Sequence, residues 1–253
     1  KITDKLGSNP GGIYKKDNQR YYLKFPQSIS RSKDIVQNEV LASKLYNIAT
    51  LKAPDLFLVK DGKGHFGSGS KIFDSFISMK DSIADQKTSF SYWQNLEGVV
   101  DGIAIDAWLS NWDVAGGEFD NIGEYINSSN NKNEALRVDV GASLNFSSRG
   151  FPKNDRFTVD VREWDIFNSR TGHSNHPAND NHKNHQMIVN AQKLFSNINK
   201  SQLQRAIQRL EDVNIQEVKI LVFRHGPGCD TEKQALYTKL VNRRIALLSR
   251  LQY

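Results

Sequence analysis

The run Arg20-Tyr21-Tyr22-Leu23-Lys24-Phe25 is rich in aromatic strand formers, yet it seats a lysine among them. An ammonium is badly placed there unless it reaches a partner. Fifteen residues later, Glu39 stands in the first turn of a helix expected over Asn38–Leu51, where Val40, Leu41, Leu45 and Ile48 recur at helical spacing. Taken singly, the two residues also read as a surface lysine and a helix-start glutamate favoured by the dipole. Taken together, they ask for a sheet packed against a helix.

The surrounding pattern supplies that sheet. Gly7 to Gly12 is a turn-forming cluster before Ile13-Tyr14, and Asp17-Asn18 is a second turn before the lysine strand. Pro54 stops the helix, Leu56–Val59 reads as a strand, and Gly62–Gly69 reads as a hairpin tip before a strand over Lys71–Ile77. The expected opening order is therefore β-β-α-β-β. Beyond Asp81 the character changes. A helix is expected over Phe90–Leu109 despite Gly98 and Gly102, and a short strand at Leu136-Arg137-Val138. Residues 146–185 have little periodicity and are expected to be functional or mobile. Two tail helices are expected, opened by Ser201-x-x-Gln204 and Thr231-x-x-Gln234 as capping boxes.

At 253 residues, 38% hydrophobic and 25% charged, the chain can bury a core and is not a disordered polymer. No apolar run approaches the roughly 18 residues of a membrane span, and Lys1-Ile2-Thr3-Asp4 is no signal peptide. The single cysteine, Cys229, excludes an internal disulfide, fits a reducing compartment, and reads as a loop thiol. The net charge of +6 is uneven: residues 1–148 carry 17 Lys+Arg against 18 Asp+Glu, and residues 149–253 carry 17 against 10. This excess suggests either an anionic partner or an ordinary solvated face.

The chemistry gathers around Asp113, Asp120-Asn121 and Asp139-Val140-Gly141, each delivered by an apolar run. Phosphoryl transfer needs a carboxylate to orient the attacking hydroxyl, oxygen ligands for a metal, and a lysine held by a glutamate at the phosphates. Asp113 answers the first need. Asn121 and Asp139 answer the second, with Asp120 a rival to Asn121, and Lys24 with Glu39 answers the third. Gly7, Ser8, Asn9, Gly11 and Gly12 would let a backbone approach phosphate closely, although the spacing also suits a plain hairpin turn.

In this order the residues resemble the kinase-like domains of bacterial toxins and secreted effectors. These are distant relatives of HipA-type toxin kinases and phosphatidylinositol kinases within an atypical protein-kinase-like superfamily. The resemblance rests on G-S-N-P-G-G at 7–12, Y-Y-L-K-F at 21–25, N-E-V-L-A-S-K-L-Y at 38–46, D-A-W-L-S-N-W-D at 106–113, D-N at 120–121 and R-V-D-V-G-A-S-L at 137–144. It implies an α+β, two-lobed protein-kinase-like fold. The N-lobe over 1–80 would be small and β-rich with one key helix, and the C-lobe over 81–253 mainly helical. It further implies ATP with Mg²⁺ (Mn²⁺ as the alternative), transfer of the γ-phosphoryl group to a protein Ser/Thr or to the chain itself, and a bacterial protein, cytoplasmic or secreted into a host cytosol. Asn111-Trp112 stands where kinases have His-Arg, the Asp-to-Asn gap is eight rather than five, and no A-P-E follows. A nucleotide- or polyanion-binding pseudokinase and a phosphoinositide kinase therefore stand as alternatives.

Arg149, Lys153, Arg156, Arg162, Arg224, Arg243 and Arg244 are the candidate contacts for an inositol polyphosphate, a phosphoinositide headgroup or an acidic protein. No nucleic-acid module accompanies the charge. His173, His176, His182 and His185 lack cysteine partners and sit among asparagines, which favours a solvated loop over a zinc site.

Overall fold

The computed structural model describes residues 3, 9–28, 30–127, 130–167 and 182–251, with backbone alone for 182–185 and 251. Its opening follows the expected β-β-α-β-β order: β1 (Gly11–Lys16), β2 (Gln19–Lys24), α1 (Ser32–Ile48), β3 (Phe57–Lys60) and β4 (Phe66–Lys71). The four strands form one antiparallel sheet in the order β1-β2-β4-β3. Helix α1 starts six residues earlier than its apolar periodicity announced, and it buries Val36, Val40, Leu41 and Leu45.

The fourth strand differs from expectation. Only the first half of the glycine stretch is the hairpin tip, at Asp61–Gly64, where the Asp61 side chain accepts from the Lys63 and His65 amides at 2.8 and 2.9 Å; Gly67 and Gly69 belong to the strand itself. Neighbouring aromatic rings lie across this strand. A Cβ at Gly67 would sit 2.6 Å from the Phe25 ring and 2.7 Å from the Lys24 carbonyl, and one at Gly69 would sit 2.8 Å from the Phe57 ring. Only side-chain-free positions admit those rings.

A second antiparallel sheet joins β5 (Ile77–Ser78), β6 (Ile122–Asn127) and β7 (Lys132–Arg137). Around it the chain is helical: α2 (Met79–Ala84), α3 (Phe90–Asn95), α4 (Ile103–Trp108), α5 (Arg162–Phe167), α6 (His182–Phe195), α7 (Lys200–Glu211), α8 (Ile215–His225) and α9 (Asp230–Leu251). The single helix expected over Phe90–Leu109 is broken. Gly98 takes φ +86°, its amide donates to Asp101 Oδ1 at 2.6 Å, and a 3₁₀ turn at Val100–Gly102 leads into α4. The tail holds three helices rather than two. The full capping box of α7 is Asn199 with Gln202, two residues ahead of the expected pair, and at α9 Glu232 rather than Gln234 reaches back, accepting from the Cys229 amide at 2.7 Å.

One continuous apolar core runs from α1 through α4 to α9. Trp93 and Trp108 are fully enclosed in it, and the Trp108 indole donates to the Leu240 carbonyl at 2.8 Å. The β-rich part with its one long helix, set against a larger helical part, is the expected two-lobed kinase-like α+β architecture.

Candidate active site

Lys24 ends β2 with its ammonium turned toward two carboxylates. Its Nζ lies 2.6 Å from Glu39 Oε1 on α1 and 2.7 Å from Asp139 Oδ1 just after β7, and Ser68 on β4 donates to Glu39 Oε2 at 3.1 Å. Burial alone would lower the Lys24 pKa, but the Asp139 and Glu39 charges outweigh it and hold the ammonium above the ordinary lysine range. Burial keeps Glu39 above the usual carboxylate range despite Lys24, whereas Lys24 holds Asp139 below it. Asp139 adopts a left-handed backbone, φ 49° and ψ 54°. A non-glycine residue rarely takes that conformation outside a functional or over-determined turn.

Asp113 lies on the loop between α4 and β6. Burial, then the like charges of Asp139 and Asp120, push its carboxyl up to about 8. Its carbonyl accepts from Asn121 Nδ2 at 2.8 Å, and the Asn121 carbonyl accepts from the Val138 amide at 3.0 Å. These bonds tie the Asp113 loop to the Asp139 turn. A cleft of about 390 Å³ is lined by the polar and charged Asn9, Lys24, Glu39, Ser68, Asp120 and Asp139 together with the apolar Ile13, Leu56 and Leu136. Gly11 and Gly12 begin β1 opposite Lys24 and Leu23, while Gly7 and Ser8 lie outside the described residues.

Three buried basic side chains fasten α4 and the chain that leads from it to Asp113. Arg137 meets Asp106 through two bonds of 2.7 Å and also donates to the Val99 carbonyl. Arg243 donates to the Trp108 and Ala107 carbonyls at 2.8 and 2.6 Å and to Glu163 at 2.9 Å. Lys153 donates to the Ser110 carbonyl and, at 3.3 Å, to its hydroxyl. Arg243 and Lys153 thus add donors to carbonyls at the end of α4 and in the left-handed turn that follows, of which Ala107 and Ser110 also accept the backbone amides of Ser110 and Trp112. Burial, with Arg243 adding to it, lowers the Lys153 pKa to about 7. Lys153 and Arg243 are thus internal struts, which corrects their expected place in a polyanion surface. Arg244 caps the last carbonyls of α7, Leu210 and Glu211, and Arg162 meets Asp160 at 3.2 Å. Arg149, Arg156 and Arg224 remain exposed.

Four positioning residues escaped the reading of the sequence. Asn38 bonds the Ser143 carbonyl at 2.8 Å and the Asn145 amide at 3.0 Å, locking α1 to the chain after Asp139. Tyr46 donates to Asp106 Oδ1 at 2.8 Å and accepts from Asn111, whose Oδ1 in turn accepts from the Asp113 amide at 3.2 Å. Their signal was present as polar groups inside apolar runs. His173 and His176, and the side chains of His182 and His185, lie outside the described residues.

Among the described residues no three His, Cys, Asp or Glu side chains converge as a preformed metal cage. Mg²⁺ needs less, since one or two carboxylates with phosphate oxygens and water suffice. Asp139, with a side chain about 55% exposed, and the oxygens of Asp120 and Asn121 provide hard ligands of that kind. Burial is the larger cause of the raised Asp113 carboxyl, and a divalent cation would relieve the like-charge part that Asp139 and Asp120 add.

No family model matches the chain, and no curated protein does. Solved structures do match. CtkA, a proinflammatory kinase of Helicobacter pylori, aligns over 99% of this chain and 94% of its own at TM-score 0.62 and 15% identity. The N-terminal 618-residue fragment of LepB from Legionella pneumophila aligns over 94% and 46% at TM-score 0.43 and 15% identity. HipA of a Shewanella oneidensis toxin–antitoxin system aligns over 98% and 64% at 0.41 and 11%. The likeness to CtkA is one of fold.

Proposed function

We propose that this protein is an ATP-dependent kinase that transfers the γ-phosphoryl group to a hydroxyl, on protein Ser/Thr or on itself. One observation carries the reading: Lys24 bridges Glu39 and Asp139 in the lining of a cleft that also carries the apolar Ile13, Leu56 and Leu136. Glu39 holds Lys24 so that its ammonium meets phosphate oxygens. Asp113 orients the acceptor hydroxyl and takes its proton, a task suited to a carboxyl titrating near neutrality. Asp139, with Asn121 or Asp120, would hold Mg²⁺ (or Mn²⁺), which supplies charge neutralisation at the phosphates when bound. The fold shared with CtkA supports extending the reading to a bacterial effector or toxin acting in a host cytosol. Among the described residues, no helix is long and apolar enough to cross a membrane.

The decisive experiment incubates the protein with γ-labelled ATP and Mg²⁺ beside Asp139→Ala and Asp113→Ala, offering protein, phosphoinositide and inositol polyphosphate acceptors. Label transferred by the wild type alone is the expected result. Asn111-Trp112, standing where His-Arg precedes the catalytic Asp of kinases, favours a second reading as a nucleotide-binding module. That module would show ATP raising the melting temperature with no transfer to any acceptor.

A further inference from the structure

The step from Asp113 to Asn121 is eight positions, against five in kinases, and the added chain forms a turn. Gly116 N donates to the Asp113 carbonyl at 3.1 Å, beside the Asn121 side-chain amide that meets the same oxygen. Gly116 takes φ +71°, and a Cβ there would lie 2.0 Å from Asp120 Oδ1 and 3.3 Å from Asn121 Cγ. Glycine alone suits both the backbone and the space. Asp120 lines the cleft together with Lys24 and Asp139. A shift of this turn therefore displaces the Asp113 carbonyl and the Asp120 carboxylate together.

A buried amide holds the turn from outside. Asn190 lies on α6, 4% exposed, and its Nδ2 donates to the Gly116 and Gly117 carbonyls at 3.2 and 2.9 Å. Its Oδ1 accepts from Gln186 Nε2, one helical turn earlier, at 2.8 Å. Gln186 thereby fixes which end of the amide faces the carbonyls, and two carbonyls accept only a donor. Helix α6 does not need this contact to stay in place. Its Ile188, Ala191, Leu194 and Phe195 are buried, and Gln192 ties it to the Ile166 carbonyl of α5 at 3.0 Å. The Asn190 amide is thus committed to the turn rather than to docking the helix. A longer loop has more conformations to lose on ordering, and a tie near its middle restricts them.

Resting on the kinase reading above, we propose that Asn190 is a positioning residue for phosphoryl transfer, setting Asp113 and Asp120 against the cleft through the Gly116-Gly117 turn. Asn190 does not line the cleft itself; it acts on the backbone behind the groups that do. With the tie in place, both carboxylates keep one spacing relative to Asp139, as an aligned transfer requires. Without it the turn samples other positions, and the chemical step and the metal end suffer together. The apolar lining at Ile13, Leu56 and Leu136 is left as it was.

The test compares the wild type with Asn190→Ala and Asn190→Asp, and with Gln192→Ala as a control on the same helix. Asn190→Asp keeps the volume and sets a carboxylate against two carbonyls. Transfer from γ-labelled ATP to casein is followed at saturating Mg²⁺. Mn²⁺ binding beside a non-hydrolysable ATP analogue is followed by electron paramagnetic resonance. Both Asn190 variants are expected to lose about tenfold to hundredfold in kcat, with KM for ATP unchanged, and to bind Mn²⁺ more weakly. Gln192→Ala is expected to lower the melting temperature comparably and to leave kcat and Mn²⁺ affinity as in the wild type. Asn190→Ser replaces either variant that fails to fold. A folded Asn190 variant with wild-type kcat and Mn²⁺ affinity overturns the proposal. Equal losses in Gln192→Ala overturn it too, by showing a general loosening of α6. A wild type that labels neither casein nor itself sinks the kinase reading; Mn²⁺ affinity then still decides whether Asn190 holds the metal end, so the two failures are separate.

Discussion

Lys153 is an expensive residue to bury. Its ammonium is held by a neutral carbonyl and hydroxyl rather than by a carboxylate, and burial brings its pKa from the ordinary lysine range down to about 7. Above pH 7 the unfolded chain binds a proton here that the native chain has released, so this group's contribution to stability rises with pH until lysine itself titrates near 10.5. Lys153→Met removes the slope. Between pH 7 and 10, the unfolding free energy of the wild type is expected to gain on that of the variant by about 1 kcal/mol per pH unit. Parallel stability curves from denaturant titrations would show that Lys153 is not titrating. Asp113 is the mirror case at the same scale. A carboxyl raised to about 8 by burial and like charge is poorly suited to a structural ion pair and well suited to proton transfer.

Among the elements, α1 does the most to assemble the site. It presents Glu39 to Lys24, Asn38 to the chain after Asp139, and Tyr46 to the Asp113 loop. In many kinases such a helix must be moved into place; here buried hydrogen bonds fasten it at both ends. Asn38→Leu keeps the volume and orphans the Ser143 carbonyl and the Asn145 amide, at about 1–3 kcal/mol for each buried group. Amide exchange at Asn145 and its neighbours is expected to speed up more than the global unfolding rate does, and labelled-phosphate transfer to fall with it. Uniform acceleration across the chain would deny Asn38 this local role. The break at Gly98 works at the same scale, because it lets Asp101 and the carbonyls of Gly98 and Val99 turn toward other partners, Arg137 among them.

For the whole molecule, the Asp106–Arg137 pair joins α4 to the end of β7, and through Tyr46 it also joins α1. Both side chains are essentially excluded from solvent. Such a pair adds little relative to a well-packed apolar contact, but breaking it leaves an uncompensated charge. Asp106→Ala is expected to cost about 3–5 kcal/mol, read as a lower midpoint in urea. On the kinase reading it should also weaken any rise in melting temperature that ATP brings, because Asp113 hangs on the same network through Asn111 and Tyr46. A midpoint close to that of the wild type would argue that water replaces the carboxylate.

Much of this was legible in the chain by itself. The aromatic strand around Lys24, the apolar helix around Glu39 and the β-β-α-β-β order follow from local periodicity, which acts over a few residues and is written in them. The sequence also announced that Asp113, Asn121 and Asp139 end apolar runs, and the fold brings these runs together. It could not tell a strut from a surface charge. Lys153 meets Ser110 across 43 positions and Arg243 meets Trp108 across 135, so their burial depends on which distant carbonyls the fold brings within reach. The glycines of β4 misled for the same reason. Gly67 and Gly69 look like a turn until the rings of Phe25 and Phe57 are laid across them, and only tertiary packing brings those rings there.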